Sequence, residues 1–254
     1  MQQLAKGFLL IAASLVFWAC ASSTPPSRLV DYIPVDESGG GTLLTEQRPL
    51  QAGLVLISDT SDPQAAPNLP EEAMVKLGEE LRAEISRVLP VNITRVIPAE
   101  GIRPHDGNRA QFSELAKKYS LDYLAVVVLS STEQEYPVSL FLGWTTHNQP
   151  GLRRDNWSLL EFALLDTKDS KTLVQAEGRG WATLDWPTAP GINQWYPVVY
   201  LRPSERRFWP PTYEGAPYTL RVVSFDDAAK RLTTKLQNTW LGQLEDDAMA
   251  RRNG

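Results

Sequence analysis

The stretch Tyr123-Leu124-Ala125-Val126-Val127-Val128-Leu129 places six apolar residues in a row, three of them valine. An unbroken apolar run rich in β-branched side chains is typical of a strand that is buried on both faces, because a strand with one wet face alternates apolar and polar residues. We therefore predict that residues 123–129 form the central strand of a sheet.

Two shorter apolar runs precede this stretch, and helical patterns separate the three runs. Residues 54–57 follow Gly53, and residues 93–97 are closed by Pro98, so both are predicted strands. Between the strands, apolar residues recur at spacings of three and four: Met74, Leu77, Leu81, Ile85 and Val88, then Phe112, Leu115, Ala116 and Tyr119. Strands joined through helices run parallel, so this half of the chain predicts a parallel β-α-β-α-β unit.

Two further strands and a last helix follow the central run. The polar residues 167–171 join predicted strands at 157–166 and 172–184, which indicates an antiparallel hairpin. A helix is predicted from about Asp226, with a buried face made of Ala229, Leu232, Leu236, Trp240 and Leu244. The predicted fold is α/β (α+β), with a single mixed sheet of about five strands, two or three packed helices and the order β-α-β-α-β-β-β-α.

The amino-terminal twenty residues have the composition of a secretion signal. Residues 1–6 carry one positive charge, and the apolar run 7–18 is too short to cross a hydrocarbon core of ~30 Å as a helix. The run ends in Phe17-Trp18-Ala19-Cys20, which resembles the lipobox of bacterial lipoproteins. That resemblance implies a signal peptide at 1–19 and a lipid on Cys20, the only cysteine of the chain. An uncleaved anchor, or an ordinary signal peptide with an incidental cysteine, is the alternative.

The same resemblance implies a compartment. The residue after the cysteine is Ala21 rather than aspartate, as in lipoproteins that are sorted to the outer membrane. We expect the protein on the inner leaflet of the outer membrane, facing the periplasm; the alternative is the periplasmic side of the inner membrane. A membrane contact through the lipid on Cys20 is therefore the first expected partner.

The remaining chain is divided by composition into a tether and one domain. Residues 20–52 are rich in serine, proline and glycine and predict a flexible tether, although its apolar stretch 29–34 could dock on the domain or on a neighbour. Residues 53–254 are predicted to form one globular domain. With a net charge of -5 and no clustered basic segment, the chain is not expected to bind nucleic acid.

Few residues suit catalysis or metal binding. A single cysteine excludes an internal disulfide, and His105 and His147 lack the spacing of zinc ligands. No glycine-rich phosphate loop or nucleophile elbow occurs. Glu133 and Glu135 would place two carboxylates on one face of a strand, as glycoside hydrolysis needs, but such glutamates are usually solvated. We expect no catalytic residue, no metal and no cofactor.

The segment 181–218 combines many aromatic residues with seven prolines. Proline at this density disfavours helices and sheets, so we predict a long ordered excursion or a pair of irregular ribbons; a smaller excursion is predicted at 140–155. Exposed aromatic and arginine side chains are typical of binding hot spots. The candidate partner-binding residues are Trp195, Tyr196, Tyr200, Arg206, Arg207, Trp209, Tyr213 and Trp144. The alternative is that these rings fold back and cover one side of the sheet.

The hairpin carries a further resemblance. Phe162-Ala163-Leu164-Leu165-Asp166, a polar turn and Leu173-Val174-Gln175-Ala176 resemble the hairpin of periplasmic domains such as the TolB amino-terminal domain, LpoB and CsgG. With Leu29-Val30-Asp31-Tyr32, Val96-Ile97-Pro98 and Leu121-Asp122-Tyr123, the stretch 28–185 is also similar to the rhombotarget lipoprotein family. Neither resemblance implies catalytic residues.

These observations predict a non-enzymatic, membrane-anchored lipoprotein that acts as an interaction module for another cell-envelope protein. The CsgG resemblance implies one alternative, a subunit of an envelope assembly or secretion complex. An envelope hydrolase that uses Glu133 and Glu135 is a third hypothesis. The sequence leaves the oligomeric state and the identity of the partner open.

Overall fold

A computed structural model of the chain describes residues 24–33, 50–99, 101–105, 108–141, 148–168, 171–188 and 197–253. In these ranges the strands are β1 Leu50–Asp59, β2 Val91–Pro98, β3 Tyr123–Leu140, β4 Gln149–Asp166, β5 Thr172–Pro187, β6 Val198–Leu201 and β7 Arg206–Phe208. The helices are α1 Leu29–Tyr32, α2 Glu71–Val88, α3 Arg109–Tyr119 and α4 Ala216–Asn253.

All the described strands belong to one mixed sheet, in the order β2-β1-β3-β4-β5-β6-β7. Strands β2, β1 and β3 are parallel, as the alternation of strands and helices predicts. Strands β3 to β7 are antiparallel to their neighbours. The predicted fold class is therefore confirmed, and the central run 123–129 lies inside the sheet as part of β3.

The predicted number of strands was too low. The two additional strands, β6 and β7, lie inside the segment 181–218 that was predicted to be an excursion or a pair of irregular ribbons. They can form because the prolines lie outside both strands: Pro197 precedes β6, Pro203 lies in the turn, and Pro210 follows β7. In the smaller excursion predicted at 140–155, residues 149–155 belong to β4, which begins at Gln149.

The last helix begins ten residues before its predicted start at Asp226. Pro217 lies in the first helical turn, where its missing N–H and fixed φ are tolerated. Ser224, two residues before the predicted start, is buried inside α4, and its hydroxyl donates to the backbone oxygen of Asn156 at 3.3 Å. In the described residues, no helix combines the length and the apolar content needed to span a membrane.

Helices α2 and α4 cover one face of the sheet, which we call the helix side. The main apolar core lies there, and it includes Leu54, Leu81, Ile85, Val127, Leu129, Leu160, Phe162, Leu164, Ala228, Leu232 and Leu236. A smaller cluster beneath the start of α4 contains Ala182, Leu184, Val199, Ala216 and Leu220. The final helix is therefore an integral part of the core.

Two glycines allow α4 to approach β5 very closely. A Cβ atom on Gly178 would overlap the backbone of Ala228 and Leu232, and one on Gly180 would overlap the backbone of Ser224. Glycine within a strand often marks such a close approach. The glycines thus fix where the helix crosses the sheet.

Residues 24–33, which we call the strap, lie on the opposite face of the sheet, the strap side, together with α3. Leu29, Tyr32 and Ile33 of the strap are buried there. Part of the segment predicted as a tether thus packs on the domain, and β1 begins at Leu50 rather than at Gly53. The strap buries apolar side chains in spite of its serine- and proline-rich surroundings.

A buried carboxylate holds the strap in place. Glu161 of β4 is only 4% exposed and accepts hydrogen bonds from the Ser27 hydroxyl and from the backbone N–H groups of Arg28 (2.6 Å) and Leu29 (3.1 Å). The two N–H groups belong to the start of α1, where unpaired backbone donors favour a negative charge. Because a buried carboxylate is costly without such donors, Glu161 and the strap depend on each other.

Tyr32 ties the other end of the strap to β1. Its hydroxyl donates to Oδ2 of Asp59 at 3.0 Å. Burial, followed by the hydrogen bond to Asp59, raises the pKa of the Tyr32 phenol. Burial also pushes the pKa of Asp59 upward, but hydrogen bonds from Ser61 and Tyr32 outweigh it and hold that pKa below its ordinary value. Asp59 is therefore an ionised acceptor for the strap.

Candidate functional site

The sheet extends beyond its parallel part as an antiparallel ribbon. Strand β1 pairs with β3 only as far as Ser130, whereas β3 continues to Leu140. The ribbon consists of 131–140, 149–158, 179–187, β6 and β7. Helix α4 covers its helix side. Because Gly180 faces α4, the next residue, Trp181, points to the strap side.

We call the strap-side surface of the ribbon the open face. Strand alternation and register place these residues on it: Tyr136, Arg153, Asp155, Trp157, Trp181, Thr183, Asp185, Tyr200 and Arg207. Trp157 and Trp181 lie directly opposite each other and stack with ring centroids 6.1 Å apart and an interplanar angle of 20°. Trp181 is 39% exposed, so the stack presents a flat aromatic surface to the outside.

Asp155 organises the centre of the open face. Its carboxylate is 5% exposed and accepts hydrogen bonds from Tyr136 Oη at 2.7 Å, Trp181 Nε1 at 3.3 Å and Thr183 Oγ1 at 2.5 Å. Burial, and then the hydrogen bond to Asp155, raises the pKa of the Tyr136 phenol, which therefore remains a donor at neutral pH. The orientation of the exposed Trp181 ring is fixed by this buried acceptor.

Arginines surround the aromatic rings. Arg153 binds Asp185 through two hydrogen bonds, from Nε to Oδ1 at 2.7 Å and from Nη2 to Oδ2 at 2.9 Å, and these bonds raise the pKa of its guanidinium. The guanidinium carbons of Arg202 and Arg207 lie 5.3 and 5.7 Å from the centre of the Tyr200 ring. Arg202 is also paired with Glu205, so the open face combines aromatic surface with arginines of which Arg153 and Arg202 are held by carboxylates.

The outermost strand forms a second candidate surface, the edge surface, which consists of Arg206, Phe208 and Trp209. Strand β7 pairs with β6 on one side only, so its other edge is free within the described residues. Arg206 stacks on Phe208 with its guanidinium carbon 5.0 Å from the ring centre. Trp209 is 64% exposed, more than any other large apolar side chain of the described residues except Phe141. The edge surface therefore offers an aromatic anchor beside a sheet edge.

The structure distributes the predicted partner-binding residues over several places. Tyr200 and Arg207 lie on the open face, and Arg206 and Trp209 lie on the edge surface. Tyr213 instead packs edge to face against Trp186, with centroids 4.7 Å apart, as the fold-back alternative predicted for these rings. The positions of Cys20, Trp144, Trp195 and Tyr196 lie outside the described residues.

Sequence reasoning missed the Trp157–Trp181 stack. The signal was present in the hairpin, because the turn at 167–171 is centred on Asp169. Trp157 lies twelve residues before this centre and Trp181 twelve residues after it, so a symmetric hairpin places the two directly opposite each other. The tryptophans were assigned to separate segments, and the pair was therefore not considered.

The two glutamates considered for hydrolysis share the helix side of β3. Glu133 pairs with Arg221, with Nε and Oε1 2.6 Å apart, and Glu135 pairs with Arg154, with Nη2 and Oε2 2.6 Å apart. His105 is exposed, with Nδ1 3.6 Å from Asp31 Oδ1. Among the described residues, no group of three histidine, cysteine or acidic side chains is placed to hold a metal ion.

A groove of about 430 Å³ lies between α2 and α4 and is lined by Glu80, Leu81, Glu84, Asp226, Ala229, Lys230 and Thr233. Burial, and then the nearby charge of Glu80, raises the pKa of the Asp226 carboxyl. The groove therefore brings the carboxyl groups of Glu80, Glu84 and Asp226 together next to the core.

The chain matches no protein-family model and no curated protein. Three solved structures to which it is similar come from different bacteria. The PelC dodecamer from Paraburkholderia phytofirmans is 15% identical, with a TM-score of 0.29 over 74% of this chain and 88% of that one. A homolog of a neuraminyllactose-binding hemagglutinin from Helicobacter pylori is 8% identical, with a TM-score of 0.38 over 83% of this chain and 96% of that one.

The third structure is lipoprotein GNA1162 from Neisseria meningitidis, which is 11% identical, with a TM-score of 0.28 over 57% of this chain and 90% of that one. The proteins to which the chain is similar thus include a lipoprotein. At these identities and TM-scores, the similarities carry no argument about activity, ligand or assembly.

Proposed function

We propose that the chain is a lipid-anchored envelope lipoprotein that acts without catalysis, by binding another envelope protein through its edge surface. The observation that carries the protein-binding proposal is the exposure of Trp209, a ring that is 64% accessible beside a free strand edge. Tryptophan and arginine are the residues most enriched at binding hot spots. The anchor rests on the lipobox-like residues 17–20.

The chemistry of the edge surface fits an extended segment of a protein partner. Within the described residues, the outer edge of β7 has no strand partner, so its backbone groups can pair with a partner strand. Trp209 would fill an apolar pocket of that partner, and the exposed guanidinium group of Arg206 would bind its carboxylates. We place the protein on the inner leaflet of the outer membrane, with the periplasmic side of the inner membrane as the alternative.

The test uses photo-crosslinking in intact cells of the host. A benzophenone amino acid is introduced at Trp209 and, as a matched control, at Lys76, whose exposed side chain lies on α2. We expect a discrete crosslinked species from position 209 alone, and its yield should fall several-fold when Arg206 is changed to alanine. No crosslink at position 209, or the same species from position 76, would contradict the proposal.

The lipid anchor has its own test. Intact-mass measurement of protein purified from host envelopes should give a chain that begins at Cys20 and carries acyl groups, and Cys20→Ser should abolish the acylation. A bare thiol, or a leader that is still attached, would exclude the lipoprotein assignment. The relationship to the rhombotarget, TolB, LpoB and CsgG domains stays a prediction.

A second candidate function is a subunit of an envelope assembly. The exposed side chains of Leu241, Leu244 and Met249 recur near helical spacing on α4, which suits a helix–helix contact between subunits. Sedimentation of the detergent-solubilised protein distinguishes the two: an oligomer that dissociates with Leu241→Glu and Leu244→Glu favours the assembly, whereas a monomer contradicts it.

A further inference from the structure

The other candidate surface of the ribbon, the open face, points to a different partner. We propose that the open face, with the Trp157–Trp181 stack and its surrounding arginines, rests on the interfacial region of the bilayer that holds the lipid of Cys20. This inference rests on the lipid anchor of the proposed function and is independent of the protein contact at the edge surface.

The first step is the place where the strap is fixed. Ser27, Arg28 and Leu29 are bound to the buried carboxylate of Glu161, and Arg28 is also paired with Asp62, with Nη2 and Oδ2 3.1 Å apart. The strap is therefore held at a defined point on the strap side of β4.

The second step is the length of chain between this point and the lipid. Four peptide units separate Cys20 from Thr24 and seven separate it from Ser27. At no more than ~3.6 Å per residue, the acylated residue lies within about 14 Å of Thr24 and about 25 Å of Ser27. The bilayer must therefore come close to the strap, and the strap side of the domain faces it.

The third step is the position of the open face relative to the strap. Glu161 and Trp157 belong to the same strand and, four residues apart, point to the same side of the sheet. At ~3.3 Å per residue, their Cα atoms are about 13 Å apart. The aromatic stack is therefore within the radius that the lipid anchor allows, whereas α2 and α4 lie on the other side of the sheet.

The composition of the open face suits this position. Tryptophan and tyrosine favour the headgroup level of a bilayer, where an apolar ring and a polar group are both accommodated. Arg207 is exposed and would meet lipid phosphates directly, and Arg202, which is also paired with Glu205, lies beside it; both guanidinium groups are held over the Tyr200 ring. The acidic groups Asp155 and Asp185 are occupied by donors from the same face.

The sequence provides a direct way to test this orientation. Since Cys20 is the only cysteine and its sulfur would be acylated, an introduced cysteine is the only free thiol for a label. Arg179→Cys places the thiol on the strap side of β5, two residues before Trp181, and Lys76→Cys places it on the exposed surface of α2. Both side chains are solvent-accessible, so neither substitution disturbs the core.

Each acylated variant is labelled with an environment-sensitive fluorophore and reconstituted into vesicles of phosphatidylethanolamine and phosphatidylglycerol that contain a headgroup-nitroxide lipid. We expect quenching at position 179 to be at least threefold stronger than at position 76, and Arg202→Gln with Arg207→Gln to reduce that ratio. Equal quenching at the two positions, or stronger quenching at position 76, would overturn the proposal.

Two further outcomes separate this proposal from the other partners. If the label at position 179 is shielded in host envelopes but not quenched in protein-free vesicles, the occupant of the open face is a protein and the inference is wrong. If intact mass shows no acyl group, the premise fails and the membrane orientation fails with it, whereas the crosslink from Trp209 is unaffected.

Discussion

Gly178 and Gly180 carry the closest contact between sheet and helix, so they are the most sensitive positions at the residue scale. Alanine at either position would force its Cβ into the backbone of α4, which cannot move aside as a flexible side chain can. We expect Gly178→Ala and Gly180→Ala each to lower the free energy of unfolding by at least about 3 kcal/mol, the upper part of the range for overpacked sites. Urea unfolding measures this loss.

Gly242 provides the matched control. It lies in α4 with no atom within 4 Å of an added Cβ, so Gly242→Ala should raise the free energy of unfolding by about 0.5–1 kcal/mol through helix propensity alone. If Gly178→Ala is tolerated as well as Gly242→Ala, the described crossing of α4 over β5 is wrong.

A second residue-scale prediction concerns Glu161. Replacing it with glutamine turns one acceptor oxygen into a donor that faces the donors of Ser27, Arg28 and Leu29. We expect Glu161→Gln to lower the free energy of unfolding by roughly 1–3 kcal/mol, the cost of buried polar groups without partners. Release of the strap should also accelerate tryptic cleavage after Arg28 several-fold.

Glu177→Gln serves as the control for this experiment, since Glu177 lies on the same side of the neighbouring strand but is partly exposed and pairs with Arg179 and Lys235. It should leave cleavage after Arg28 unchanged. Equal cleavage rates in the wild type and Glu161→Gln would show that the strap is held by its apolar side chains alone.

At the scale of elements, we expect the stability that the contact between α2 and α4 contributes to depend on pH. Because burial and Glu80 raise the pKa of Asp226, the folded state holds this proton more tightly than the unfolded chain. The resulting stabilisation is complete below the unfolded pKa of about 4 and is lost as the pH rises through the folded pKa. Asp226→Asn should therefore be more stable than the wild type at neutral pH, and the difference should vanish below about pH 4.

Urea unfolding at several pH values measures this difference, with Asp227→Asn as the control. Asp227 pairs with Arg231, with Oδ2 and Nε 2.7 Å apart, so losing its charge should lower stability at neutral pH. An Asp226→Asn protein that is less stable than the wild type at neutral pH would contradict the described packing of Asp226 against Glu80.

The elements that sequence predicted well are those with an unambiguous apolar pattern. The run at 123–129 and the stripe from Met74 to Val88 are recovered because burial on two faces or on one helical face leaves a clear periodicity. The start of α4 was missed because Pro217 and Tyr218 have the composition of the preceding loop. A pattern of residue types does not distinguish proline in a first helical turn from proline in an irregular segment.

The candidate site was predicted only in part, for a related reason. The many aromatic residues of 181–218 made that segment the predicted binding site. The open face, however, is formed by pairing across strands, and Trp157 and Asp155 lie outside that segment. Which residues lie opposite Trp157 and Asp155 depends on the hairpin register, and the amino-acid composition of a segment does not determine that register. The strap was predicted as part of a tether whose apolar stretch 29–34 could dock on the domain, and Leu29, Tyr32 and Ile33 of that stretch are buried against the sheet.

At the scale of the whole molecule, the strap changes the expected distance between domain and membrane. A flexible tether of about thirty residues would reach on the order of 30 Å. With residues 24–33 docked, only the few residues before Thr24 separate the domain from Cys20. If Cys20 carries the proposed lipid, the domain is held close to the bilayer.

The position of α4 in the chain also determines when the molecule can fold. This helix, which ends at Asn253, supplies Phe225, Ala228, Leu232 and Leu236 to the main core. Until it has been synthesised and delivered to the compartment where the protein folds, the helix side of β4 and β5 has no cover. A chain exported through a membrane from its amino terminus would therefore leave the helix side of β4 and β5 uncovered until residues 225–236 had emerged, and protection from aggregation would be needed until then.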